Sequence, residues 1–292
     1  MSSHAFLNLP GAWSRSGFAL ATGLSALVAL TIALGPPVWR ERPVQSVSPF
    51  KAALSRGLVR MGVERPPHEI GPADYQIRRA EGFVPEIGQT IAAALSTRVQ
   101  FVRIDTGSEA DALANGSIDL ALVSKPRDSV WTNDTEIPVG HVTRLAPVMR
   151  EDTSIRSWED LAGRTICFSD DDAAANRLID RLGGVPVAAS APAKALAAMR
   201  SGECDASLHD ADLVNGLAQL PNARWAKYSA TLPPRQASQL MFVFGENDDF
   251  ARRKLRDATA RWGRRFWNPL VAQWIADVDF EVYLEQDAPD CH

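Results

Sequence analysis

Three consecutive carboxylates, Asp170-Asp171-Asp172, stand before an alanine-rich run, and Asp210 closes the run Ala206-Ser207-Leu208-His209. Carboxylates in such places serve one of two ends. At a helix start they cap unpaired amides and complement the helix dipole, worth about 0.3–1 kcal/mol per charge. Facing a cleft they hold a cation and repel an anion. Asp210 is either the N-cap of the helix that begins at Ala211 or an ammonium acceptor at the carboxyl end of a strand, where open α/β sheets bind ligands. Arg127, in Ser124-Lys125-Pro126-Arg127, is either a surface arginine or a clamp for a ligand carboxylate, a task that suits the planar guanidinium. Asp119 and Asp205 each open a strand and read as structural.

Other chemistries find less support. The three cysteines, Cys167, Cys204 and Cys291, contain no C-x-x-C pair, and the five histidines (His4, His68, His141, His209, His292) are dispersed, so neither metal nor other cofactor is expected. Cys167 and Cys204 fall on what could be neighbouring strands. Small buried thiols are expected there, with a bridge in an oxidising compartment as the alternative. No spaced acid/base pair marks an enzyme, although Glu69 or His68 could set a general acid over a cleft. A net charge of -4 without a basic run argues against a partner gripped through nucleic-acid phosphates.

The elements that would position these residues follow an alternating grammar. Leu58 to Val63, Val99 to Ile104 and Ile118 to Val123 read as strands, with helices over Phe83 to Leu95 and Glu109 to Ala114 between them. The pattern then restarts: strands at Leu145 to Met149, Thr165 to Phe168 and Val185 to Ala188, helices at Ala173 to Leu182 and Ala193 to Arg200. Gly116 and Gly202 each follow an alanine-rich helix and precede, by three residues, the aspartate that opens a strand. Strands joined by single helices predict parallel sheets. The reading is two α/β lobes with separate sheets, residues 55–137 plus 238–292 and residues 138–237, crossed by extended chain at Thr135 to Val142 and Leu232 to Leu240, with a closing helical region from Asp249 to Ile275.

Ahead of the lobes, Ser16 to Trp39 carry no charge. That length of apolar chain is enough to cross about 30 Å of hydrocarbon. Pro36-Pro37 and Trp39 favour a retained anchor over a cleaved signal. Residues 1–16 are then a cytoplasmic tail, 17–39 a single membrane-spanning helix, and 40–54 a polar linker to a soluble domain outside the cytoplasm.

Across residues 55–277 the chain resembles the extracellular solute-binding proteins of the polar amino-acid type, family 3, with the type II periplasmic-binding fold. The resemblance rests on Met61 to Val63 followed by Pro66-Pro67-His68, on Gly82-Phe83-Val84-Pro85-Glu86, on Gly116 to Asp119, on Leu161-Ala162-Gly163-Arg164, on Gly202 to Asp210, and on a closing helix with Trp274 near its end. It implies a periplasmic domain on the inner membrane that captures a small polar organic ligand between its lobes and presents it to a permease or another inner-membrane complex. It further implies that His68 stands at the turn position that stacks on ligand, Arg127 at the carboxylate clamp, Asp171 at the helix start that faces the ligand, and Asp210 at the ammonium acceptor. The family has Gly-Ser/Thr-Thr where this chain has Ser169 to Asp172, which shifts the expected ligand toward an amine or a net positive charge. Two other roles fit the same resemblance: an accessory or assembly protein built on a degenerate binding fold, and a dehydratase-like enzyme.

Overall fold

The computed structural model describes residues 48–67 and 82–285 apart from 131, 133, 222, 230 and 231. The expected anchor and His68 lie outside the described residues. Among the described residues no helix is long and apolar enough to cross a membrane.

The first half begins with helix α1 (Pro49–Ser55) and strand β1 (Leu58–Val63), followed by α2 (Val84–Leu95), β2 (Arg98–Arg103), α3 (Glu109–Ala114) and β3 (Leu120–Pro126). Strand β1 pairs in parallel with β2 and β3, as single-helix connections require. Helix α1 takes up the last residues of the expected linker. Its Ser-Pro start explains this: Ser48 Oγ accepts from the Lys51 amide at 2.9 Å and donates to Asp248, while Phe50 is 1% exposed in the core.

Strand β4 (Glu136–Arg150) then leaves the first half and runs fifteen residues into the second. There β5 (Thr165–Ser169), α4 (Ala173–Leu182), β6 (Val185–Ala189), α5 (Pro192–Ser201), β7 (Ala206–Asp210), α6 (Ala211–Ala218) and the short β8 (Tyr228–Ser229) form the distal half. Strand β9 (Arg235–Val243) returns, and α7 (Asp249–Thr259) and α8 (Arg264–Leu284) complete the described chain.

The strand order is β2-β1-β3-β9-β4-β7-β5-β6, with β8 paired to β4. The two expected sheets are therefore one hydrogen-bonded path. Both crossings are extended and pair antiparallel with each other, so they carry the ladder from one half to the other. The path curls where they do so: the β4–β9 register breaks between Pro138 and Val142 and again between Arg144 and Leu145. Gly140 lies in the first break at φ 88°, and a Cβ there would meet the Trp262 carbonyl oxygen at 3.0 Å. Both facts require glycine.

Each half keeps its own core. Val59, Met61, Ile91, Leu122 and Phe242 cluster in the first. Ile166, Ile179 and Leu208 form one distal cluster, and Leu196, Leu213 and Leu217 another. Helix α8 belongs to both. Trp267 is buried in the first-half core, whereas Val278 and Val282 are buried among α5 and α6 of the distal half. The sequence reading had placed all of residues 238–292 in the first lobe. The carboxyl half of α8 crosses over because Gly216 on α6 leaves room for Ile275, whose side chain would lie 2.2 Å from any Cβ at that position.

Cys167 and Cys204 form a disulfide, correcting the expectation of two thiols. Parallel pairing of β5 with β7 brings Cys167 beside the turn that enters β7, and the Cα atoms stand 5.8 Å apart, within bridging range. Closing a loop of 37 residues stabilises the fold by about 4 kcal/mol on the chain-entropy scale.

Candidate functional site

Functional candidates gather at the carboxyl ends of β1, β5 and β7 and beside the middle of β4. At the end of β5, Ser169 donates its hydroxyl to Asp171, and Asp172 caps α4 by accepting the Ala175 amide at 2.8 Å. At the end of β7, Asp210 caps α6, accepting the Asp212 amide at 2.9 Å. Capping is thus part of what both aspartates do. Asp210 also faces the crossing strand, its Oδ2 lying 3.8 Å from His141 Nε2. The His141 side chain is 6% exposed, stacks on Trp267 at 4.8 Å and meets the edge of Phe83 at 4.7 Å. Its Nε2 and the Trp267 Nε1 are buried without a hydrogen-bond partner among the described residues.

Burial and neighbouring negative charge oppose the ionisation of three carboxyls here, Asp172, Asp212 and Glu64. Burial, then the neighbouring charges of Asp171 and Asp210, push Asp172 up to about 6 against the pull of the Ala175 and Ala174 amides. Burial and Asp210 likewise raise Asp212, while His141 and Arg144 oppose. Burial raises Glu64, at the end of β1, with Asp171 and Glu109 adding to it. The basic side chains here are largely committed. Lys125 Nζ lies 3.1 Å from Glu109 and is bonded to Glu136 at 2.5 Å. Arg65 reaches across from the first half, donating to Asp170 and, at 2.7 Å, to the Ser190 carbonyl. The site is acidic, with one aromatic flank.

Of the residues singled out in the sequence, Asp171 and Asp210 stand on this site. Arg127 is exposed beyond the end of β3, where its main-chain N–H donates to the Ala237 carbonyl at 2.9 Å. Among the described residues no hydrogen bond or ion pair joins Arg127 to Asp210. Asp119 and Asp205 are structural. Asp119 accepts the Arg60 amide at 2.9 Å and pairs with the Arg60 and Arg56 guanidiniums, so it stays below the usual carboxylate range despite burial, which acts the other way. Asp205 accepts the Thr165 amide at 2.9 Å. Sequence reasoning missed Arg65, Glu64 and His141. Position after a strand, before Pro66-Pro67, was the available signal for the first two; nothing local marks His141.

The raised Asp172 makes a stability prediction. Its folded value of about 6 exceeds the unfolded 3.8, so the charged form is disfavoured in the fold and stability rises as pH falls through 6 toward 3.8. Asn caps as well as Asp and carries no charge. Asp172→Asn is expected to stabilise by roughly 1–2 kcal/mol at pH 8 and by nearly nothing at pH 4, read from urea midpoints.

No family model matches the chain, and no curated protein matches it. Solved structures do. An amino acid ABC transporter substrate-binding protein from Streptococcus pneumoniae bound to L-arginine superposes with a TM-score of 0.56 at 13% identity, covering 79% of this chain and 98% of its own. A mutant of ArgBP from T. maritima gives 0.52 at 18% identity, covering 78% and 99%. An ancestral amino acid-binding protein, a precursor of cyclohexadienyl dehydratase, gives 0.53 at 17% identity, covering 78% and 100%. The curled mixed sheet with its paired crossings is thus the fold of the substrate-binding proteins of amino-acid ABC transporters.

Proposed function

We propose that this chain is a solute-binding protein whose folded part lies in the periplasm, held to the inner membrane by residues 17–39. It captures a small polar organic molecule carrying an amine or a net positive charge between its two halves, the first around β1, β2 and β3 and the distal one around β5, β6 and β7, and presents it to a permease or another inner-membrane complex. It acts as a binder and not as an enzyme. The observation that carries this reading is the convergence of Asp171, Asp172 and Asp210 at strand ends, in a fold whose solved examples include proteins bound to L-arginine. The buried disulfide supports an oxidising compartment. In this reading Asp210 accepts the ammonium, and Arg127, free of ion pairs among the described residues, turns to a ligand carboxylate.

The test is a thermal-shift screen of amino acids, diamines and other cations on the full chain, followed by calorimetry. A ligand at 100 times its dissociation constant adds about 2.7 kcal/mol of stability. Truncating a desolvated partner of a bound charge costs 2 kcal/mol or more, so Asp210→Ala is expected to weaken that ligand by at least about 30-fold. A ligand bound equally by parent and variant removes Asp210 from the site.

One observation favours a second role, accessory protein of a membrane complex. Helix α8 holds both cores and Arg65 bridges the halves, so the chain's own residues tie the two halves together.

A further inference from the structure

Arg65 engages the distal half through all three nitrogens of its guanidinium. Nη1 donates to the Ser190 carbonyl at 2.7 Å, Nη2 to an Asp170 oxygen, and Nε lies 3.3 Å from Asp171 Oδ2. Two hydrogen bonds from the planar fork, with a second carboxylate paired beside them, form an arrangement by which a guanidinium is recognised. The acceptors are set by the distal half itself. Parallel pairing of Ser169 with Ala189, continued by the Asp170 amide donating to the Ala189 carbonyl at 2.8 Å, holds Asp170 beside Ser190. The Ser169 hydroxyl orients Asp171. None of these contacts involves Arg65, which stands two residues past the end of β1 and 105 residues away in sequence from Asp170.

We propose that Arg65 is a tethered internal ligand: its guanidinium occupies the Asp170–Asp171–Ser190 acceptors, ties the first half to the distal half, and competes there with external guanidinium-type cations. The pairs are half exposed, 42% for Arg65 against 47% and 36% for Asp170 and Asp171. Such pairs are weak and screened by salt. A latch of this kind holds the two halves together and yields to a cation of the same shape. The competition with a captured solute rests on the binding role proposed above; the latch itself does not.

Hydrogen exchange read by mass spectrometry on the full chain in detergent tests this. Arg65→Ala is expected to speed exchange about tenfold in peptides spanning 169–176 and 189–192. Methylguanidinium chloride at about 20 mM restores slow exchange in that variant, and sodium chloride at equal ionic strength does not. Adding Asp170→Asn and Asp171→Asn abolishes the rescue. Arg65→Lys, which keeps the charge and loses the fork, is expected to be intermediate. Unchanged exchange in Arg65→Ala, or rescue by sodium chloride as good as by methylguanidinium, overturns the latch. A solute found in the thermal-shift screen is expected to bind Arg65→Ala about tenfold more tightly than the parent. If methylguanidinium rescues but no solute binds, the latch stands and the transport reading falls. If a solute binds parent and Arg65→Ala alike, the binding role stands and the latch falls.

Discussion

Val278→Asp is expected to cost more than about 4 kcal/mol and to split unfolding into two transitions, because it puts an unpaired charge where helix α8 enters the distal core. Val278 and Val282 are fully buried there, beside Leu196, Met199, Leu213 and Leu217. The same stretch is fastened by polar contacts: Asp279 accepts the Trp225 indole N–H at 2.6 Å and the Arg224 guanidinium at 3.0 Å. Eleven residues before Val278, Trp267 and its neighbours Phe266 and Leu270 remain in the first-half core. A charge at 278 therefore releases the far end of the helix and leaves its near end seated. Urea unfolding followed by tryptophan fluorescence reads both ends, since Trp262 and Trp267 lie in the first half and Trp225 in the distal one. Phe280→Asp is the control. Phe280 is 52% exposed two positions further on, and its replacement is expected to change the midpoint by less than about 0.5 kcal/mol. A single unshifted transition for Val278→Asp would show that α8 does not join the halves.

Acid is expected to unfold the protein through His209. Its ring is 4% exposed on β7, and its Nε2 is 2.6 Å from the Ser207 hydroxyl, which also donates to the Cys167 carbonyl at 3.3 Å. Burial drives it down to about 3 from 6.5. Above pH 6.5 the ring is neutral in both states and the contribution is fully present. As pH falls below 6.5 the unfolded chain takes up a proton that the fold refuses until about pH 3, so stability is lost across that window, by roughly 4–5 kcal/mol at its acid end. Asp172 works in the opposite direction between 6 and 3.8, which flattens the parent's profile without cancelling it. His209→Gln keeps a polar atom near Ser207 and removes the proton linkage. Between pH 7 and pH 4 the parent is expected to lose about 3 kcal/mol more than this variant, measured by urea unfolding at each pH. Equal losses would mean that His209 protonates without unfolding the strand.

What the sequence determined by itself is the local structure. Strand and helix positions followed from apolar period, as in β1 and α4, because the side chains that bury an element recur at its own spacing. The caps followed too: Asp172 and Asp210 bond to amides two or three residues away, and Gly202 ends α5 in the left-handed region at φ 89°. Asp119 and Asp205 read correctly as structural because each is one half of a repeated glycine-to-aspartate segment that opens a strand.

Tertiary structure decided everything that depends on which distant segments meet. Cys204 bonds Cys167 only because β7 lies beside β5, with β6 on the other side. The two expected sheets became one because the crossings pair with each other, a choice of partner that alternation of residue types does not encode. Helix α8 shows period and composition but not the Gly216 notch that receives Ile275. The same distinction separates the site's residues. The strand-end positions of Asp171 and Asp210 were legible because a strand followed at once by a helix is written in short-range residue types. Arg65 and His141 were not, since their meaning lies in partners 105 and 69 residues away, at Asp170 and Asp210, and only the closed chain brings those charges within reach.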